Sequence, residues 1–308
     1  MSRDAPPAGD GTPKVFLVEG SALPAPPLAP GLYIVSTPIG HLKDITIRAL
    51  GTLARADLVA CEDTRVTAVL TRHYGIKAPL LAYHEHNAEQ QRPRILAALA
   101  AGEVVALVSD AGTPLLSDPG FRLVAAAVEA GYPVFPVPGA SALLAGLVTA
   151  ALPTDAFFFA GFLPNRTVGR RKRLAELAAV PATLVFYESP HRTADALADM
   201  AIELGAERPA AVARELTKAF ETVKRGTLAS LAEEFSAGPD PKGEIVILVG
   251  PPLAIVPEAA DIDELLARLT AEHPLKEAAR LAAEATGLPR RDLYQRALAL
   301  KDGDADGA

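Results

Sequence analysis

Cysteine is nearly missing from this chain of 308 residues: only Cys61 is present. One cysteine excludes an intramolecular disulfide framework and a multi-cysteine zinc site, and it fits a reducing compartment. No uninterrupted apolar run reaches the roughly eighteen residues of a membrane span. The start lacks the basic-then-apolar order of a secretion signal. These absences point to a cytoplasmic, soluble protein. Net positive charge is lacking too. At −7 and a pI near 5.5, the chain has no broadly basic coat for nucleic acid, although a local patch is compatible with that balance.

Several familiar signatures are also missing. No Walker loop, G-x-x-x-x-G-K-[ST], occurs, and no G-x-G-x-x-G follows a strand, which weakens a polyphosphate, dinucleotide or ordinary Rossmann reading. G-x-S-x-G and H-E-x-x-H are absent as well. His84-Glu85-His86 would put two rings on one face of a strand, yet no third ligand accompanies them, so a polar strand end explains them better than a metal.

Half the residues are apolar, enough for a sizeable core, and the length suggests two domains with a small third. Residues 1–30, rich in Pro, Ala and Gly, read as a disordered tail. From Gly31, apolar strand-like runs alternate with helical patterns in five β-then-α units, which predicts a mostly parallel sheet covered on both faces over 31–151. A second α/β domain, of mixed strand direction, is expected over 152–250. A linker at 251–260 then leads to three short helices over 261–301. The turn Thr286-Gly287-Leu288-Pro289 fits either a helix-turn-helix or a plain helical hairpin. Residues 301–308 read as a frayed acidic tail.

The organising stretch is Val104 to Gly120. A buried strand over Val104–Val108 runs into Ser109–Gly112, and Asp118 with Pro119 reads as the cap and first residue of a helix. Open α/β sheets place ligands beyond such strand ends. No Lys or Arg lies between Val104 and Gly120. Asp110 would therefore repel a polyphosphate and favour a cationic ligand, unless it only closes an Asx-turn. Three more polar loops follow strands: Thr37–Asp44, Glu62–Arg65 and Pro138–Ser141. In a parallel sheet all four converge at one edge.

Glu62, Asp63 and Arg65 serve either as a substrate-orienting or basic group or as a helix cap with a local ion pair. In the second domain, Glu188, Arg192, Arg214, Glu215 and Lys218 stand at polar strand ends. Arg166, Arg170, Arg171, Lys172 and Arg173 form the dense basic cluster. With no acid between its members, it is read as phosphate-binding rather than as a solvated helix face.

In order, Thr37-Pro38-Ile39-Gly40, Glu62-Asp63-Thr64-Arg65, Ser109-Asp110-Ala111-Gly112-Thr113-Pro114, Gly161-Phe162-Leu163-Pro164, Tyr187-Glu188-Ser189-Pro190-His191-Arg192 and Arg214-Glu215-Leu216-Thr217-Lys218 closely resemble the tetrapyrrole-methylase superfamily. Within it, they resemble the branch of bacterial 16S rRNA cytidine 2′-O-methyltransferases. The chain departs from that pattern at His41, where Asn is common, and at Ala88, where an acid is common.

The resemblance implies two α/β domains with S-adenosylmethionine in the cleft between them, a helix-turn-helix-like C-terminal module and a homodimer. It implies 16S rRNA of the small ribosomal subunit as partner, with no metal and no membrane. Cofactor contacts are expected from Pro38, Asp110, Ala111, Gly112, Thr113, Ser117, Ala140 and Ser141. Asp63, Arg65, Glu188, Glu215 and Lys218 are the expected catalytic set, with Arg214 as a further cation for developing oxyanion charge. RNA contacts are expected from the basic cluster and from Arg290, Arg291 and Arg296. The other readings are a methylase of a small tetrapyrrole or a protein side chain, and a ligand-sensing nucleic-acid-binding regulator.

Overall fold

The computed structural model describes residues 14–116, 120–253 and 259–305. The chain divides into two compact units, 1–252 and 253–308. Among the described residues, no helix is long and apolar enough to cross a membrane.

The first lobe of the larger unit is built on five parallel strands: β3 (Gly31–Val35), β4 (Leu58–Cys61), β5 (Leu80–Ala82), β6 (Val104–Val108) and β7 (Val134–Val137). Their order across the sheet is β5-β4-β6-β3-β7. Strand periodicity divides each run between two cores. Val104, Ala106 and Val108 point to one face with Val35 and Val59, and Val105 and Leu107 point to the other with Leu32 and Ala60. Burial on both faces explains why these strands read as continuous apolar runs.

The helices between them are α1 (Ile47–Arg55), α2 (Thr64–His73), α3 (Ala88–Ala100), α4 (Phe121–Glu129) and α5 (Ala142–Thr149). Thr46 caps α1 by accepting from the Ala49 N–H at 3.1 Å. α4 begins at Phe121 with Gly120 in the capping position, so it starts later than expected. The expected cap, Asp118, lies outside the described residues, as do Ser117 and Pro119.

The tail expected over 1–30 is corrected for its described part. β1 (Val15–Val18) and β2 (Ser21–Pro24) form an antiparallel hairpin, and Phe16 is buried in the core beside α1. Residues 1–13 lie outside the described residues.

The second lobe carries β8 (Phe157–Phe162), β9 (Thr183–Glu188), β10 (Pro209–Arg214), β11 (Thr222–Thr227) and β12 (Ile245–Val249) in the order β11-β10-β12-β9-β8. Only the β8–β9 pair is parallel, so the sheet is mixed. Helices α6 (Thr167–Leu177), α7 (Thr193–Leu204) and α8 (Leu228–Ala237) complete it. β11 and α8 carry no expectation from sequence. β11 is an edge strand reading Thr-Val-Lys-Arg-Gly-Thr, too polar to stand out.

The lobes share a core. Leu143 and Leu147 of α5 pack on Val185, Ala211, Val246 and Leu248 of the second sheet, with Ile39 at the same seam. A Cβ on Gly146 would stand 3.2 Å from Val246 Cγ1, so this glycine lets the helix sit close to the sheet.

The smaller unit is three helices: α9 (Ala259–Glu272), α10 (Leu275–Thr286) and α11 (Arg290–Ala305). Leu266, Ala282, Leu293 and Ala297 form its core, and Gly287 ends α10 in the left-handed conformation at φ 70°. α11 continues to Ala305, which corrects the frayed tail expected from 301; residues 306–308 lie outside the described residues.

Candidate functional site

The carboxyl ends of β3, β4, β6 and β7 bring their four loops together. Thr37 and Gly112 exchange backbone hydrogen bonds, Thr37 N to Gly112 O at 2.9 Å and Gly112 N to Thr37 O at 3.1 Å. The Thr37 hydroxyl donates to Ser109 O at 3.1 Å. Thr113 Oγ1 donates to Ala140 O at 3.1 Å and stands 3.0 Å from Ser36 Oγ. The Asp63 N–H donates to Asp110 Oδ1 at 2.9 Å, tying the β4 loop to the β6 loop. Gly112 has φ +81°, and a Cβ there would come within 3.2 Å of Ile39 Cγ2. A glycine is what this strained, closely approached turn requires.

Between the lobes lies a cavity of about 370 Å³. Ile39, Glu62, Asp110–Thr113 and Ala142 line it from the first lobe. Phe162, Tyr187–Pro190 and Gly243–Val246 line it from the second. A neighbouring cavity of about 360 Å³ shares Ile39, Asp110, Ala111 and Glu244 with it and adds Pro38, Val66, Val69 and Lys218. The combined cleft has apolar walls and few polar groups, the usual make-up of a small-molecule site. Its acidic floor and open backbone suit a ligand with positive charge on an otherwise flat or apolar body.

The charged residues named from sequence separate in the structure. Asp63 caps α2, accepting from Arg65 N at 2.8 Å, and holds the Arg65 guanidinium at 2.6–3.1 Å. Its hydrogen bonds with Arg65 lower its pKa to about 2. Arg65 is 89% exposed. The pair is therefore a cap and local ion pair, and so depressed a carboxylate accepts protons poorly.

Glu188 does line the cavity. Its buried carboxylate accepts from Ser189 N at 2.8 Å and from Arg192 Nη2 at 3.1 Å. Arg192 also donates to Leu163 O at 2.8 Å and bonds Asn165, so it braces the loop after β8. Glu215 accepts from Lys218 Nζ at 2.8 Å and from Glu244 N at 3.0 Å, and the Lys218 hydrogen bond holds its pKa low. Burial opposes the charge on Lys218, but Glu215 and Glu244 outweigh it and hold the pKa up. Glu215 and Thr217 have φ of 52° and 65°, strained values for residues with side chains. Arg214 is turned to the rim, bonding Thr222, Lys242 O and Phe220 O.

This strained loop meets the β3 loop. His41 N donates to Thr217 Oγ1 at 3.2 Å, and a Cβ on Gly40 would fall 2.4 Å from Lys218 Cγ. The His41 departure has a local explanation. Its Nδ1 accepts from Lys43 N at 3.2 Å and caps the short 3₁₀ turn Leu42–Asp44, a role an Asn side chain also fills.

Glu62, which is not in the expected catalytic set, is the carboxyl of its loop that reaches the cleft. It lines the central cleft, and its pKa is raised, first by burial and then by the charge of Asp110. The signal was its position as the first residue past a fully buried strand. Of the expected cofactor residues, Asp110–Thr113 line the central cavity and Pro38 its neighbour. Ala140 lies behind them, receiving Thr113, and Ser141 is buried at the start of α5. Ser117 is outside the described residues.

The reading of the basic cluster as free of partner acids is corrected. Arg170 is buried and pairs with Asp199 at 2.6 Å, which takes it out of reach of RNA. Arg171 pairs with Glu203 at 2.6 Å and Arg173 with Glu176 at 3.0 Å. Asp199 and Glu203 come from α7, far off in sequence. Arg166 and Lys172 remain exposed. In the smaller unit, Arg296 is held by Asp263, Arg290 donates to Lys276 O at 3.2 Å, and Arg291 is exposed.

Residues 31–232 match the family model of the tetrapyrrole (corrin/porphyrin) methylases, and residues 256–301 match the RsmI C-terminal HTH domain. The chain is similar to the ribosomal RNA small subunit methyltransferase I of Mesorhizobium japonicum, 56% identical over 94% of this chain and 100% of the relative. It is 49% identical to the protein of that name from Pseudomonas aeruginosa, over 87% of this chain and 96% of the relative. Among solved structures, uroporphyrin-III C-methyltransferase of Thermus thermophilus, complexed with S-adenosyl homocysteine, aligns with a TM-score of 0.51 at 24% identity, over 71% of this chain and 96% of that one. Diphthine synthase aligns with a TM-score of 0.57 at 16% identity, over 71% and 89%. At such identities the structural likeness speaks for the fold.

Proposed function

The chain belongs to the tetrapyrrole (corrin/porphyrin) methylases, and from that premise we infer that it is an S-adenosylmethionine-dependent methyltransferase of small-subunit ribosomal RNA. Its acceptor is the ribose 2′-hydroxyl of a cytidine. The observation that carries this reading is the lysine-free, acid-bearing backbone cradle Asp110–Thr113, which faces the cleft between the lobes. One Asp110 oxygen is taken by the Asp63 N–H, and no other protein hydrogen bond engages this carboxylate among the described residues. S-Adenosylmethionine is cationic, with a flat purine at one end, and it fits this site: Asp110 supplies opposite charge, Ala111–Thr113 supply close backbone, and Ile39, Leu116, Phe162 and Val246 supply apolar walls.

When bound, the donor brings a methyl group on a good leaving group, so the protein's share is mostly positioning. Glu188 and Lys218 are the members of the expected catalytic set that line the cleft, and Glu215 holds Lys218 in place. Asp63 and Arg65 shape the start of α2. The target nucleotide is splayed out of its strand to reach the cleft. Arg166, Lys172 and the partly exposed Arg171 and Arg173 contact flanking phosphates. The protein works in the cytoplasm, and two copies pair; the exposed Phe157 and Phe158 on edge strand β8 support pairing.

The test is transfer of labelled methyl from S-adenosylmethionine to small subunits that lack the modification. Label in the RNA is expected. Label only in protein or in a tetrapyrrole, or none, overturns the reading.

A further inference from the structure

Glu62 lines a further cavity as well as the central cleft. This space, of about 540 Å³, is walled by Tyr83–His86 after β5, by Ala88 and Glu89 of α3, and by Gly120–Arg122 at the start of α4. Tyr83 and Ala88 tie its wall to the core of the first sheet, while His84, Phe121 and Arg122 line this space and not the donor cleft. Phe121 is 75% exposed, an aromatic ring left largely uncovered among the described residues. His84 Nδ1 is shielded from solvent yet has no hydrogen-bond partner among the described residues. The His84 backbone is fixed, since its N–H donates to Asn87 Oδ1 at 2.9 Å while Asn87 Nδ2 donates to Ala82 O at 3.0 Å. Arg122 stands at the rim beside Glu89, at 3.0 Å.

An exposed ring, an unsatisfied imidazole nitrogen and a rim guanidinium match the three parts of a nucleotide. Unstacked bases are held on aromatic faces, read by hydrogen bonds at their edges, and anchored through phosphate. The volume is that of a site for a ligand of nucleoside size. Glu62 sits where this space and the donor cleft meet.

Resting on the methyltransferase reading above, we propose that this cavity seats the acceptor, a pyrimidine nucleotide of unpaired RNA, and that Glu62 takes the proton of its ribose hydroxyl. Phe121 stacks on the base, His84 hydrogen-bonds its edge, and Arg122 holds a phosphate. As the ribose oxygen's lone pair forms the new O–C bond, the C–S bond breaks with its electron pair going to sulfur. The sulfonium becomes a neutral thioether, and the hydroxyl proton passes to the Glu62 carboxylate and then to water.

After burial, the charges that act on Glu62 are those of Asp110 and Asp63, which favour its protonated form, and of His84, which opposes them. Burial keeps the carboxyl more basic than an ordinary one.

The experiment measures transfer to unmodified small subunits by the wild type and by Phe121→Ala, His84→Ala and Glu62→Gln, with donor affinity determined separately by calorimetry. Phe121→Ala and His84→Ala are expected to raise the half-saturating subunit concentration about five-fold or more, with donor affinity unchanged. Glu62→Gln is expected to lower kcat by about 100-fold or more while both substrates still bind. Because Phe121 is exposed, its variant reports on binding even if another fails to fold. An unchanged subunit KM in both binding variants overturns the proposal, as does wild-type turnover by Glu62→Gln. Loss of donor affinity in Glu62→Gln places the residue in the donor site and overturns it too. Absence of transfer by the wild type is a different failure, that of the methyltransferase reading itself.

Discussion

Glu62 and Asp110 stand at the tips of neighbouring parallel strands, β4 and β6, and line the same cleft. Burial raises the pKa of Glu62, and the negative charge of Asp110 raises it further. A carboxyl whose folded pKa lies above its unfolded value costs stability once it ionises, so stability falls as pH rises through that window. Glu62→Gln is therefore expected to raise the melting temperature at pH 7 and to leave it unchanged at a pH below the ordinary carboxylate range. Asp110→Asn is expected to move the Glu62 titration midpoint, followed by carboxyl-carbon NMR, downward. An unmoved midpoint would mean that the two carboxyls do not feel each other.

Asp63 shifts the opposite way. Its hydrogen bonds with Arg65 place its midpoint at about 2, so the pair's contribution to stability is complete above the ordinary carboxylate range and is lost progressively as pH falls from that range through about 2. Arg65→Gln is expected to raise the Asp63 midpoint towards the ordinary range and to change kcat little. A collapse of kcat in Arg65→Gln would return the pair to the catalytic machinery.

Arg170 and Asp199 form a buried pair whose side chains are 4% and 9% exposed. Removing one partner leaves a stranded charge, so Asp199→Ala is expected to cost about 3–5 kcal/mol in denaturant unfolding, whereas a paired apolar replacement recovers most of it. RNA affinity, compared where each variant remains folded, is expected to fall on Lys172→Glu and to persist in the paired Arg170→Met, Asp199→Leu replacement.

Gly112 adopts φ +81° against Ile39. Gly112→Ala adds about 1–2 kcal/mol of backbone strain and a methyl group within the donor cradle. Lower stability and weaker S-adenosylmethionine binding are expected together by calorimetry. Unaltered donor affinity would take this turn out of the cofactor site.

Much of this arrangement was legible in the chain. The strands of the first sheet are buried on both faces, so Val104–Val108 and Gly31–Val35 read directly as strands, and parallel order then placed their loops at one edge. What escaped depends on contacts distant in sequence or on weak patterns. The hairpin Val15–Pro24 is too short to show a period and is held by Phe16 in the α1 core. β11 hides in a polar edge segment. The basic run of α6 looked unpaired because Asp199 and Glu203 arrive on another helix. Choosing between Glu62 and Asp63 needed the turn itself, which sends one carboxyl into the cleft and folds the other onto Arg65.

The most direct measurement of the central claim is alkaline hydrolysis of small-subunit RNA labelled by this protein from methyl-labelled S-adenosylmethionine. Alkaline cleavage of an RNA linkage proceeds through the adjacent 2′-hydroxyl, so a methyl group on that oxygen protects the linkage that follows. The account predicts label in an alkali-stable dinucleotide whose 5′ residue is cytidine. Label released entirely in mononucleotides would place the methyl group on a base and contradict it.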